Sequence, residues 1–220
     1  MCAAANKGAG KMKKLAFSIL ALAILAGAGV TRAVSPTVPS AQATQSTDKT
    51  APSYDMKGQA LLDLDGVNKK IVSLADALPQ DKFTWRPSED SRSFAEVFLH
   101  VAGERYGILS LMGAAPPAGY DRKTFEKSTT DKAKIIEELN KSWEYAQKTI
   151  QGMANSDFAK LLPKLGPDAN EGDVIYILVA DAHEHLGQII AYARVNAIVP
   201  PWTAAAAAAA AAKKTQQPQK

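Results

Sequence analysis

The chain is poor in the residue types that carry much of protein chemistry. Its 220 residues include one cysteine and three histidines, and aromatic residues make up 7%. The cysteine, Cys2, precedes everything that reads as a folded domain. Disulfides, all-cysteine zinc sites and a cysteine nucleophile are thereby excluded from the folded part. Cys2 also stands before the apolar run that follows it, so it cannot be the lipid-bearing cysteine that a lipoprotein places after such a run. An excess of one charge is lacking too. The formal net charge is +4, but Lys7, Lys11, Lys13, Lys14, Arg32, Lys213, Lys214 and Lys220 sit near the ends, and from Tyr54 to Thr203 the charges nearly balance. Without a basic stripe carrying interleaved aromatics, nucleic acid is not an expected partner.

What is present is strongly segmented. Lys13-Lys14, the uncharged apolar and small run Leu15 to Val30, and Thr31 and Ala33 at the -3 and -1 positions of a cleavage site read as a secretory signal peptide over residues 1–33. Met12 is the more typical start for it. The run is short and rich in Ala and Gly for a permanent anchor, so the membrane is expected to matter only during export, and the product to be periplasmic or secreted. Residues 34–53, rich in Ser, Thr, Pro, Ala and Gln, read as a disordered linker. Residues 54–203 carry the folded domain, and residues 204–220 form a low-complexity tail of Ala, Lys and Gln. Pro200-Pro201 is expected to stop the last helix of the domain. A polyalanine helix beyond it would have no face to bury.

Within the domain the apolar period is helical throughout, and no stretch makes a convincing strand. Leu64, Val67, Ile71, Leu74 and Leu78 mark a first helix ended by Pro79. Ser93 with Glu96 fits a capping box that opens a second helix, running to about Met112 and apolar on most of its surface. Gly113 to about Thr129 reads as a long surface connection. A third helix after Thr130-Asp131 carries Ile135, Leu139, Trp143, Ile150 and Met153 on one stripe. A fourth, from Gly172 to Ala197, carries Val174, Leu178, Ile189 and Tyr192. Four helices of about 20 residues and no strand define an all-α, four-helix-bundle fold.

Asp181 and His185 lie inside the apolar stripe of the fourth helix, spaced i, i+4. A buried carboxylate and imidazole each need a partner, and one metal ion serves both. His100, at the border of the apolar arc of the second helix, can supply a third ligand across the interior. Two imidazoles and one carboxylate leave coordination positions open for water or substrate, as in iron and zinc sites. The same residues could instead hydrogen-bond to one another as a satisfied polar core. His183, two positions from His185, points elsewhere and reads as a surface residue. Glu104 and Gln188 are candidates to orient an imidazole.

Leu78-Pro79, Trp85-Arg86-Pro87, Ser91-Arg92-Ser93, Phe98-Leu99-His100 and Glu184-His185-Leu186-Gly187-Gln188, followed by Tyr192 and Arg194, resemble the DinB/YfiT-like family over about Tyr54 to Trp202. The resemblance implies an up-down-down-up four-helix bundle holding a divalent metal (zinc, nickel or iron) by three ligands. By position these are His100, Asp181 and His185. The family's usual ligand at the middle position is histidine, so Asp181 is a departure that changes the charge and softness of the site. The resemblance also implies a metal-dependent thiol transferase or isomerase acting on a small molecule; with a metal-activated water as the nucleophile in place of a thiolate, the protein would be a hydrolase. Export weighs against simple transfer of thiol chemistry, because reduced thiol cofactors are kept mainly in the cytoplasm. The alternative is a non-catalytic exported binding or structural bundle with a degenerate metal site. Candidate partners are a small-molecule substrate and a second copy of the chain.

Overall fold

Among the described residues, four of the five α-helices begin on a side chain that accepts their free amides. The computed structural model describes residues 55–216. The predicted signal peptide, the linker and the last residues of the tail lie outside the described residues. Helix α1, Met56–Ala77, starts on Asp55. Helix α2, Phe94–Ser110, starts on Ser93, whose hydroxyl accepts from Glu96 N at 3.3 Å while the Glu96 carboxylate accepts from Ser93 N at 2.7 Å. This is the capping box expected from the sequence. Helix α3, Lys132–Gly152, is capped by Asp131. Helix α4, Glu171–Val195, is capped by Asn170, with Asp173 returning the bond.

These helices bury their apolar stripes on one another: α1 packs on α3 and α4, and α2 packs on the same two. Helices α1 and α2, consecutive in the chain, therefore face each other across the core. Leu64, Val67, Ile71 and Leu74 of α1 meet Phe94, Phe98, Val101 and Leu109 of α2 in a single cluster with Ile135, Leu139, Ile150, Val174, Leu178 and Ile189. Each such side chain contributes about 1.5–3 kcal/mol on burial. Helix α2 is buried on nearly every side, as its thin polar face predicts. The fold is all-α, and among the described residues the only β pairing is a single bridge between Leu161 and Asn170. None of the described helices is long and apolar enough to cross a membrane.

Two connections position the ends of α2 and α4. After Pro79 the chain turns so that Phe83 O and Trp85 O accept from Ala95 N and Phe94 N at 2.9 and 3.1 Å, seating Trp85 against Phe94 and Tyr192. Before α4, Leu162 N donates to Ala169 O and Glu171 N to Lys160 O, which clasps the α3–α4 connection. Gly172 fits under that clasp because a Cβ there would lie 2.9 Å from Asn170 Oδ1 and 3.0 Å from Phe158 O.

The C-terminal end departs from the expectation. Helix α4 stops before the two prolines, on a left-handed Ala197 (φ 59°), with Ile198 N bonded to Ala193 O at 2.8 Å and Ala197 N to Arg194 O at 3.0 Å. Pro200-Pro201 does not end this helix; it opens another. Proline is well suited to a first turn because the amide it lacks would be unpaired there anyway. Helix α5, Pro201–Gln216, packs near α1 through its first turn, where Trp202 meets the core, and its alanines are exposed.

Candidate metal site

The stripe of α4 that carries Val174 and Leu178 turns Asp181 and His185 toward α2, and α2 brings His100 to the same point. One ligand atom from each of His100, Asp181 and His185 can be chosen so that all lie within 4.8 Å of one another. The two imidazoles meet edge to face, with ring centroids 4.5 Å apart. Their side chains and that of Asp181 are 13%, 9% and 20% exposed, so the cluster lies just beneath the surface.

Each imidazole is oriented from behind. His185 Nδ1 lies 2.9 Å from Gln188 Oε1, and the Gln188 amide donates to Tyr192 Oη at 3.1 Å. A carbonyl oxygen only accepts, so Nδ1 carries the proton and Nε2 presents its lone pair. That Nε2 lies 3.3 Å from Asp181 Oδ1. An Nε2 proton donated to the carboxylate joins the pair at this distance, and the same two atoms can instead ligate one metal ion. Burial works to lower the His185 pKa, but Asp181, then Gln188, outweigh it and the value is raised.

His100 is held by a residue the sequence did not single out. Its Nδ1 lies 2.6 Å from Glu126 Oε1. Glu126 in turn accepts from Arg92 Nε and Nη2 at 2.8 and 3.2 Å. Burial raises the Glu126 carboxyl, but the bonds from Arg92 and His100 prevail and hold its pKa below the ordinary range. It is therefore a carboxylate, His100 Nδ1 donates to it, and His100 Nε2 is left to face the cluster. Glu104, the sequence candidate for this role, is 4.0 Å from His100 Nδ1 and is bound by Arg122 instead. Gln188 has the role expected of it. His183 is exposed, as expected, and pairs with Asp63 of α1 at 2.7 Å.

No periodic signal marked Glu126. It lies in a short turn, Phe125–Lys127, within the connection that reads as surface loop, and only the fold of that connection onto α2 brings it to His100.

A polar cleft of about 630 Å³ opens beside the cluster, with Glu126, Gln188 and Tyr192 in its wall next to Arg86 and Arg92. It reaches the residues that hold the two imidazoles from behind. With these helices and this cluster in place, the comparison with protein families is informative: residues 63–189 match the model of the DinB superfamily, and the chain belongs to that superfamily. No curated protein matches the chain in sequence. The residues present fit a divalent ion. They offer two imidazoles, each with its Nδ1 engaged by a side-chain oxygen, and one carboxylate, a donor set that can hold a metal ion.

Proposed function

We propose that this chain is an exported metal-binding protein that holds a divalent ion between α2 and α4 through His100, Asp181 and His185, and that it acts as a metal-dependent transferase or hydrolase on a small molecule. The observation that carries the reading is the convergence of His100, Asp181 and His185, each offering one ligand atom, within 4.8 Å of one another. His100 Nε2 completes a trio, while Glu126 and Gln188 fix the ring orientations.

A bound zinc, nickel or iron ion would supply Lewis acidity, lowering the pKa of a coordinated water or thiol. The protein side of the chemistry rests with the residues around it. Glu126 keeps His100 in the tautomer that can ligate, Gln188 does the same for His185, and both stand in the wall of the polar cleft with Arg86, Arg92 and Tyr192. The carboxylate of Asp181 leaves the site one positive charge lower than a three-imidazole set would. Export is supported by the Lys13-Lys14 pair, the apolar run to Val30 and the small residues up to Ala33.

The low exposure of the three side chains favours a second reading, an exported bundle that binds metal or a partner without catalysis. The test for the site is metal content by mass spectrometry on untagged protein, with His100→Ala and His185→Ala beside it and circular dichroism to confirm folding. Near-stoichiometric metal, lost in both folded variants, is expected. Absence of metal together with failure to bind added zinc, nickel or iron would overturn the proposal. For export, N-terminal sequencing of protein recovered outside the cytoplasm should begin at Val34, and retention of the full chain in the cytoplasm would overturn that part.

A further inference from the structure

Helix α2 carries two glycines in its interior, Gly103 and Gly107, although glycine is among the least favourable residues a helix can hold. They stand three and seven residues after His100, so all three share one stripe of the helix. The connection between α2 and α3 lies along that stripe. A Cβ on Gly103 would lie 3.1 Å from Phe125 Cδ1, a contact that forces the ring to give by a few tenths of an ångström. One on Gly107 would only touch its neighbours, with Tyr120 Oη at 3.5 Å and the Arg122 guanidinium at 3.7 Å.

The seat over Gly103 is well defined. Tyr120 Oη donates to Gly103 O at 2.9 Å. The rings of Tyr106 and Tyr120, Tyr106 and Phe125, and Tyr120 and Phe125 meet edge to face with centroids 5.2, 5.9 and 5.2 Å apart, which leaves Phe125 little freedom to move sideways. Phe125 is also the first residue of the turn Phe125–Lys127, closed by bonds from Thr124 N and Phe125 N to Asp121 O at 3.1 and 2.9 Å. Its ring goes to Gly103, while the carboxylate of the next residue, Glu126, goes to His100 Nδ1 at 2.6 Å. A packed turn moves as a piece, so a displacement of the ring is passed to that short bond.

We propose that Gly103 is a positioning residue for the metal site: by admitting Phe125 to the surface of α2, it sets the depth at which Glu126 meets His100 and thereby the direction of His100 Nε2. This role rests on the reading of His100 as a metal ligand. Gly103 touches no ligand atom itself and acts through the turn.

The experiment is calorimetric titration of the chelator-treated full chain with zinc, for Gly103→Ala and Gly103→Val, each alone and combined with Glu126→Gln. Gly103→Ala should lower zinc affinity roughly three- to tenfold, and Gly103→Val further, but neither beyond the loss caused by Glu126→Gln alone. In the Glu126→Gln background Gly103→Ala should change affinity by less than about twofold, because both substitutions act through one bond. Adding Phe125→Leu to Gly103→Ala should recover affinity, since the branched end of leucine can turn from the new methyl. Circular dichroism melts confirm folding, and Gly103→Ala carries the test if the larger valine disturbs the helix.

Proton NMR of the metal-free protein gives a readout without zinc. The proton in the short His100–Glu126 bond should appear as a downfield resonance that moves in Gly103→Ala and returns with Phe125→Leu. That behaviour in a parent that binds no zinc would overturn the metal reading and leave Gly103 as the residue that orients His100. An unmoved resonance, unchanged zinc affinity in both Gly103 variants, or an equal loss with and without Glu126 would each overturn the positioning role.

Discussion

Glu126, in the connection between α2 and α3, accepts the Nδ1 proton of His100 at 2.6 Å and is itself held by two bonds from Arg92. This chain of contacts presents His100 Nε2 to the cluster, so its removal should loosen the site without removing a ligand. Glu126→Gln is expected to lower zinc affinity about 10- to 100-fold while leaving the thermal melt close to the parent's. Calorimetric titration of the chelator-treated protein with zinc measures it, and unchanged affinity would deny Glu126 an orienting role.

Asp181 stands 3.3 Å from His185 Nε2 and is the only carboxylate in the cluster. Asp181→Asn keeps the shape and removes the charged donor. Its zinc affinity should fall further than that of Glu126→Gln, by more than about 100-fold. The same titration decides, and an affinity equal to the parent's would show that Asp181 does not ligate.

Arg105 is a buried cation with neutral partners: it donates to Leu139 O at 2.9 Å and to Ser142 Oγ at 3.1 Å, and lies 5.9 Å from the Trp143 ring centre. Burial draws its pKa down to about 10, against opposing effects of Tyr106 and Asp181. A buried charge of this kind adds little net stability, so Arg105→Met should fall within about 1 kcal/mol of the parent or exceed it. Arg105→Ala should cost about 2–4 kcal/mol through the cavity it leaves. Urea denaturation separates the two. A loss of several kcal/mol in the Met variant would show that the positive charge itself is needed.

Ala197 closes α4 with φ at 59°, a conformation in which a Cβ is crowded. Ala197→Gly retains the two capping bonds and relieves that crowding. A gain of roughly 0.5–1 kcal/mol is expected in denaturant unfolding. A loss would mean that the Ala197 methyl contributes packing that outweighs the strain.

The Tyr106 hydroxyl is pushed up to about 12 by burial, then by Glu138. An acid whose folded pKa is raised contributes stability that is complete below its unfolded pKa of about 10 and is lost as pH climbs through the folded value. The contribution amounts to roughly 2–3 kcal/mol at most. Arg105, with a lowered pKa, acts in the opposite sense over the same alkaline range. The difference in unfolding free energy between parent and Tyr106→Phe isolates the tyrosine. It should shrink from pH 10 to pH 12, with the last tyrosinate absorbance in the parent appearing near pH 12. A constant difference would place the hydroxyl in water.

Local chemistry made much of the fold legible. The 3.6-residue period of Leu64, Val67, Ile71 and Leu74, the Ser93–Glu96 box and the Asp131 cap act within a few residues of chain, so they can be read without knowing what packs against them. The polar pair on α4 was legible for the same reason, since Asp181 and His185 share a face whatever surrounds it. Pro200-Pro201 was misread because a proline permits the start of a helix as readily as it ends one, and the choice was made by Ala197 and the seat of Trp202 on the core.

The amino-acid sequence by itself determined that the domain is helical, where α2 begins, and which side chains of α2 and α4 turn inward. Tertiary structure alone decided that His100 reaches Asp181 and His185, that Glu126 rather than Glu104 holds His100, and that Tyr120 and Phe125 pack over Gly103. The physical reason is distance along the chain. Helical periodicity reports a residue's direction from its neighbours within a turn or two, whereas a contact between residues 26 apart, as His100 and Glu126 are, exists only once the connection has folded back onto α2.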